Sequence, residues 1–235
     1  MLNFMKKVLF PPRCPVCDKV VDQRFGMVCP GCQSRLPYVR EPRCMICGKP
    51  VLNAETECCP DCAANAHAFR QGRAAFVYQD PMKQSMYRYK YSNRREYAAF
   101  YAKAFVEQNA IWLSTLCLDA IVPIPVHPKR YQQRGYNQAA LVAREIGSRI
   151  NVPVREDVLL RVRQTDAQKH LDAKERKNNL KSAFKTTVNE LKLKNILLVD
   201  DIFTTGSTVD AAAVKLRAVG AETIYVASIC IGKAF

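Results

Sequence analysis

With 235 residues, 49% of them hydrophobic, the chain can bury one good-sized α/β core and carry a smaller module beside it, so two domains are expected. No run approaches the roughly 18 apolar residues of a membrane span, and the apolar start is broken by Lys6 and Lys7 and halted by Pro11 and Pro12, which argues against a signal peptide and predicts a cytoplasmic protein. A formal net charge of +15 favours polyanionic partners or substrates.

The first chemistry in chain order is a cysteine ladder. C-x-x-C pairs stand at Cys14/Cys17, Cys29/Cys32, Cys44/Cys47 and Cys59/Cys62, one every 15 residues. Each knuckle has Gly or Pro in or beside it (Pro15, Gly31, Gly48, Pro60), and the set predicts two tetrahedral zinc sites of four cysteines each. Equal spacing leaves the connectivity open between consecutive pairs in series and a cross-brace of alternate pairs; the serial arrangement is the expected one. Two zinc ions on eight thiolates would bring the net charge to about +11, still strongly basic. A structural staple for residues 1–65 is weighed above a nucleic-acid or partner platform, because so short a segment has too little core to fold alone. Cys58 is the expected spare, and Cys117 and Cys230 lie in apolar runs that predict core positions.

Residues 63–72 have the composition of a linker, so a second domain is expected over 73–235. Near its start Arg88, Tyr89, Lys90, Tyr91, Arg94 and Arg95 interleave rings with cations. Such a stretch can stack the bases of a single strand, at about 1–3 kcal/mol per base, while pairing its phosphates. Tyr97, Phe100, Tyr101, Ala104 and Phe105 follow at helical spacing and predict an amphipathic helix.

Residues 119–124 form a short apolar strand that runs into a Pro-fixed, basic turn, and a helix is expected from Asn137 onward. Pro123, Ile124, Pro125, His127, Lys129 and Arg130 then make an anion site suited to pyrophosphate. His127 is a candidate acid or base, although a loop histidine beside proline is more often simply exposed. Residues 163–171 have neither helical nor strand period and are expected to be a basic flap, with Arg161, Arg163, Thr165 and Gln168 as its contact candidates; Asp172 and Glu175 look like a helix start.

The most informative stretch is 196–208, I-L-L-V-D-D-I-F-T-T-G-S-T. An unbroken apolar run ending in two carboxylates predicts a buried parallel strand, and a hydroxyl-rich turn then opens a helix over 209–219. Thr204, Thr205, Gly206, Ser207 and Thr208 offer backbone N–H groups and hydroxyls to one phosphate monoester. Asp200 and Asp201, the candidate catalytic residues, can accept from a vicinal diol or hold a hydrated Mg²⁺. Phosphate plus diol describes ribose 5-phosphate. A merely solvated Asp pair leaves the hydroxyl turn unexplained, a receiver-domain Asp pair would close a first strand rather than stand this late, and a triphosphate P-loop is not indicated, since its Gly and Lys spacing is missing.

The run at 196–208 resembles the phosphoribosyl pyrophosphate (PRPP) motif of type I phosphoribosyltransferases. Together with the cysteine knuckles, V-P-I-P-V-H-P-K-R-Y-Q-Q-R-G-Y-N-Q and R-Q-T-D-A-Q-K-H-L, in that order, it is similar to the ComF family of competence-associated proteins across essentially the whole chain. The resemblance implies a zinc module followed by a type I phosphoribosyltransferase fold, a mostly parallel sheet flanked by helices. It further implies Asp200 and Asp201 at the ribose diol, 204–208 at the 5-phosphate and 123–130 by the pyrophosphate. It implies a bacterial, cytoplasmic protein that handles single-stranded DNA in natural transformation, alone or with other DNA-processing proteins, and binds PRPP with Mg²⁺. A working transferase with an unknown nitrogen acceptor is the alternative, and a non-catalytic adaptor a distant third. Many family members carry one four-cysteine site, so the second knuckle pair here reads as a local elaboration.

Overall fold

The computed structural model of the chain describes residues 11–22, 24, 26–163 and 182–234. Its centre is a sheet of parallel strands in the order β1-β6-β5-β2, with β1 at Gln71–Val77, β2 at Ala120–Pro123, β5 at Asn195–Phe203 and β6 at Thr223–Ile231. Strands buried on both faces need continuous apolar runs, and Ile196, Leu197, Leu198 and Val199 are each 1% exposed or less. The register sets Val199 against Ala227 on one side and Pro123 on the other. Two further short strands, β3 (Leu159–Arg161) and β4 (Phe184–Thr186), pair antiparallel outside this sheet.

The period-2 alternation of β5 and β6 divides the core into two layers. Leu197, Val199, Ala227 and Ile229 pack with α3 (Met82–Tyr91), α4 (Tyr97–Gln108) and α7 (Gln138–Ile150). Ile196, Leu198, Ile224 and Val226 pack with α8 (Ser207–Ala218). In α4 the five residues at helical spacing are all buried, as their pattern predicts. Asn137 caps α7 by accepting from the Ala139 N–H at 3.1 Å, and its amide donates to the Ile124 carbonyl at 3.1 Å, fixing where the helix begins relative to β2.

The cysteine segment is built twice from the same parts. Arg13-Cys14 and Arg43-Cys44 each open a knuckle whose first cysteine N–H donates to a lysine carbonyl, Lys19 at 2.8 Å and Lys49 at 2.7 Å. Cys29 and Cys59 precede the short helices α1 (Pro30–Gln33) and α2 (Pro60–Ala64), each with proline at its start, where a missing N–H costs nothing. The two copies dock on opposite faces. Cys14, Val16, Val21 and Val28 join the layer of α3 and α4, whereas Cys44, Cys47, Cys59 and Cys62 join the layer of α8.

Residues 63–72 are therefore no free tether, contrary to their composition. Phe69 is buried, the Ala68 N–H donates to Asp210, the Arg70 N–H to Ile224 and the Gly72 N–H to Ile46, and the segment enters the sheet as β1. Glycine is required where the second knuckle meets that strand, since a Cβ on Gly48, at φ +81°, would lie 2.7 Å from the Gly72 carbonyl. Two smaller expectations also change. Cys117 is exposed, because its apolar run falls in the connection between the short helix α5 (Ala110–Ser114) and β2, while Cys230 is fully buried. The basic turn after β2 is a helix, α6 (Pro128–Arg134), because proline at its first position and Gly135 at φ 74° beyond its end supply both caps.

Candidate functional site and metal centres

Because the four strands are parallel, their carboxyl ends share one edge, where such sheets bind ligands. Asp200 and Asp201 reach that edge on β5, and the loop at 123–127 reaches it on neighbouring β2, with the Ile124 N–H donating to Val199 at 2.8 Å. The turn at 204–206 leads straight into α8. Gly206 is the N-cap at φ 81° with no side-chain cap, so the first N–H groups of a helix of three turns face the edge without an internal acceptor from the cap. Thr204 and Thr205 are exposed, Ser207 and Thr208 half-buried, and the Thr205 and Ser207 hydroxyls lie 2.9 Å apart. Gly206 itself is buried: a Cβ there would stand 2.9 Å from Phe203 and 3.1 Å from His67.

The acid pair is not simply solvated. The Asp201 N–H donates to Asp200 Oδ1 at 2.8 Å, and Lys90 Nζ donates to Asp201 Oδ1 at 2.9 Å. Burial and the adjacent charge of Asp201 push the Asp200 carboxyl up to about 7. Burial works against the Lys90 ammonium, but the charges of Asp201 and Asp200 outweigh it and hold its pKa above the usual lysine value. Arg161 enters from β3; burial lowers its pKa and the nearby Arg130 adds to this, against the opposing pull of Asp200 and Asp201. Its guanidinium stacks 5.5 Å from the Phe184 ring. Arg163 lies farther out, donating to Ser182 at 3.1 Å. Thr165, Gln168 and the helix start expected at Asp172 lie outside the described residues. His127 caps α6, its Nδ1 accepting from the Lys129 N–H at 3.3 Å, which gives the ring a structural task.

The aromatic and basic run of 88–95 is distributed differently from its reading as one nucleic-acid patch. Tyr89 is fully buried, its hydroxyl donating to the Gln138 carbonyl at 2.8 Å. Lys90 belongs to the acid pair, Arg88 donates to the Val16 carbonyl, and Arg94 donates to Asp18 at 2.7 Å. Helix α3 thus turns half of that run inward. Tyr91 and Arg95 stay at the surface, where Tyr87 is 63% and Tyr91 61% exposed with ring centroids 5.0 Å apart. Arg134 stacks 4.9 Å over Tyr91, and Arg95 4.8 Å over Tyr136. Of this strip, Arg134 lies near enough to Lys90 to oppose its charge.

The cysteines form two clusters in series, Cys14, Cys17, Cys29 and Cys32, then Cys44, Cys47, Cys59 and Cys62, with the sulfurs of each set within 4.8 Å of one another. Cys17 and Cys29 sulfurs are 3.7 Å apart and Cys47 and Cys59 3.6 Å, close to the roughly 3.8 Å edge of a tetrahedron with 2.3 Å metal–sulfur bonds. Burial opposes ionisation of Cys44, but the backbone N–H groups of Cys47, Cys59 and Ile46 point at it and bring its thiol down to about 6, whereas burial and the neighbouring sulfurs raise Cys47 and Cys62; it is the tetrahedral spacing of the four sulfurs that fits zinc. Cys58 is the half-buried spare. A link invisible in the sequence joins the second cluster to the start of α8: Cys62 Sγ lies 3.4 Å from His67 Nε2, and His67 Nδ1 lies 2.9 Å from Asp210 on the first turn of α8.

A parallel sheet whose edge gathers an acid pair, an uncapped helix start and a proline-fixed loop that leads into a basic helix, with cysteine clusters on both faces, defines a phosphoribosyltransferase-type domain fused to a double zinc ribbon. Residues 5–63 match the double zinc ribbon domain and residues 133–234 the phosphoribosyl transferase domain. The chain is 33% identical over 156 residues to the DNA utilization protein YhgH of Salmonella typhi, covering 65% of this chain and 68% of that protein. It is 40% identical over 110 residues to Competence protein F of Haemophilus influenzae, covering 46% of this chain and 48% of that protein, about half its length. Competence protein ComFC of Bacillus subtilis is 26% identical over 152 residues, covering 61% of this chain and 57% of that protein. The chain belongs to the ComF family. Both cysteine clusters fall within the double zinc ribbon match, so the second is no local elaboration.

Proposed function

We propose that this chain is a cytoplasmic DNA-handling protein of natural transformation or DNA uptake that binds PRPP and single-stranded DNA. The observation that supports it most is the convergence, on one sheet edge, of the acid pair, the open start of α8 and the β2 loop. PRPP carries the three groups these parts suit. Its 5-phosphate meets the N–H groups and hydroxyls of 204–208, its diol meets Asp200 and Asp201, and its pyrophosphate, with Mg²⁺ on the ligand's own oxygens, meets 123–130 and Arg161. The names of the relatives, a competence protein and a DNA utilization protein, support the DNA part of the reading.

The DNA surface in this reading is the strip of Tyr87, Tyr91, Arg95 and Arg134, exposed rings between cations on a chain of formal charge +15. Arg134 of this strip acts on Lys90, the partner of Asp201, and through that link PRPP would modulate strand binding. The test is titration of a labelled single-stranded oligonucleotide into zinc-loaded protein over a series of salt concentrations, with and without Mg·PRPP. Binding that falls with salt, weakens about tenfold in a Tyr87→Ala, Tyr91→Ala double variant and changes with PRPP is the expected result. No binding near physiological salt would refute the DNA assignment and favour the second reading, transfer of the phosphoribosyl group to a nitrogen acceptor with pyrophosphate leaving, which the cluster of Arg130 and Arg161 about the acid pair supports.

A further inference from the structure

Lys90 stands out because it lies where a divalent cation would be expected. An acid pair at a phosphosugar site ordinarily invites one. Here Lys90 Nζ sits 2.9 Å from Asp201 Oδ1, with the lysine side chain 18% and the aspartate side chain 17% exposed. One oxygen of each carboxylate is engaged from within the protein, Asp200 Oδ1 by the Asp201 N–H and Asp201 Oδ1 by Lys90.

The lysine is held there by its neighbours in sequence. Arg88 is tied to the first zinc ribbon at Val16, the Tyr89 hydroxyl donates to Gln138, and the Tyr136 hydroxyl donates to the Tyr89 carbonyl. The last turn of α3 is therefore anchored on three sides, which fixes the point from which the Lys90 side chain reaches Asp201. A metal binding the same carboxylate would have to displace the Lys90 ammonium or face its like charge a few ångströms away, in surroundings that already contain Arg134 and Arg161.

We propose that Lys90 is the resident cation of the acid pair: it excludes a directly coordinated divalent metal and positions Asp201 to receive a ribose diol without one. The proposal rests on the reading of this edge as a phosphoribosyl site, and it separates two roles of magnesium. The ribose 5-phosphate half of a ligand binds independently of Mg²⁺, and only a pyrophosphate brings the ion with it. Lys90 is a positioning residue in this scheme, acting on the ligand through Asp201.

Two titrations of zinc-loaded, full-length protein in magnesium-free buffer test this. The first follows free Mn²⁺ by electron paramagnetic resonance with no ligand present. Wild type and Lys90→Arg should take up no Mn²⁺ at the pair, whereas Lys90→Gln should gain one ion per chain, at least about tenfold tighter than any wild-type uptake, and lose it again when Asp201→Asn is added. Wild-type uptake abolished by Asp201→Asn, or a folded Lys90→Gln that gains nothing, overturns the proposal. If Lys90→Gln does not fold, Lys90→Arg and wild type still decide the matter, since uptake by either at Asp201 is the refuting result.

The second titration uses ribose 5-phosphate followed by calorimetry. Wild-type affinity should change less than about twofold on adding Mg²⁺, and that of Lys90→Gln should rise about tenfold. A tenfold magnesium requirement in wild type overturns the proposal. If wild type binds no ribose 5-phosphate, the phosphoribosyl reading and the diol part of the proposal fail together, while the Mn²⁺ titration still rules separately on Lys90 as the cation that excludes metal.

Discussion

Asp18 occupies the position in the first zinc knuckle that Gly48 occupies in the second, and the two residues adopt the same left-handed backbone, φ 62° and 81°. Replacing Asp18 by glycine thus copies the second knuckle into the first and leaves the backbone less strained. What is lost is docking. Asp18 Oδ1 accepts from the Tyr97 hydroxyl at 2.5 Å and Oδ2 from Arg94 at 2.7 Å, joining the ribbon to the segment that begins α4. Burial alone would raise the Asp18 carboxyl, but these two donors hold it below the ordinary carboxylate range. With Asp18 24% and Arg94 27% exposed, each charge-assisted bond is set at the low end, about 1.5 kcal/mol, and relief of the left-handed strain returns about 1 kcal/mol, leaving a net loss of about 2 kcal/mol. Trp112, the only tryptophan, reports from the far side of the interface, packed edge-on to Phe105 and Tyr225. Urea unfolding of the zinc-loaded protein followed by Trp112 fluorescence should show the midpoint falling by about 1 M for a slope near 2 kcal/mol/M. A midpoint within about 0.2 M of wild type would mean that the ribbon is a separate module and that this contact carries no stability.

Three further outcomes are expected. Asp200, with its carboxyl pushed up to about 7, binds a proton more tightly folded than unfolded, so its contribution to stability is complete below the ordinary carboxylate pKa and is lost as pH rises through 7. Wild type should therefore lose about 1 kcal/mol more than Asp200→Asn between pH 6 and pH 8 in parallel thermal melts, and equal slopes would contradict the burial argument. Gly206→Ala places a Cβ 2.9 Å from Phe203 in a left-handed turn and should cost about 2–4 kcal/mol, so an unchanged melting temperature would disprove the close packing of the turn at 204–206 on His67 and Phe203. Chelating zinc removes on the order of 10 kcal/mol per site from a protein in which each ribbon packs into one of the two core layers, and Trp112 fluorescence should respond together with zinc release; a Trp112 signal unmoved after full release would refute that packing.

The buried strand, turn and helix start of 196–208 were legible because a parallel strand that ends at a helix start has a one-dimensional pattern, an apolar run followed at once by carboxylates, hydroxyls and glycine. The cysteine ladder was legible for the same reason, since both halves of each zinc site lie within one short segment, and the structure had only to settle the serial connectivity. What escaped was long-range. Lys90 sits 111 residues from Asp201 and His67 143 residues from Asp210, and no local periodicity encodes such a meeting. Helix α3 shows how a composition signal misleads: alternating tyrosines and cations look like a nucleic-acid strip, yet on a helix only one side of such a run faces water, and burial takes Tyr89 and Lys90 inward. The linker-like 63–72 failed similarly, because small and polar residues can still pair their backbone with a neighbouring strand.

The two zinc ribbons matter more to the ligand edge than a staple at the chain's start would. The first holds the base of α3 through Arg88 and Val16, and α3 delivers Lys90 to Asp201. The second reaches through His67 to Asp210, while the His67 ring limits the space at Gly206. Each half of the proposed ligand, diol and phosphate, is thus braced by a different ribbon on a different face of the sheet. The His67 ring stands between the two, Nε2 3.4 Å from Cys62 Sγ and Nδ1 2.9 Å from Asp210 Oδ2, while the Ala68 N–H donates to Asp210 Oδ1 at 2.9 Å. A ring held at both ends between a cysteine of the second cluster and the first turn of α8 ties the position of the turn at 204–206 to the integrity of the second zinc site.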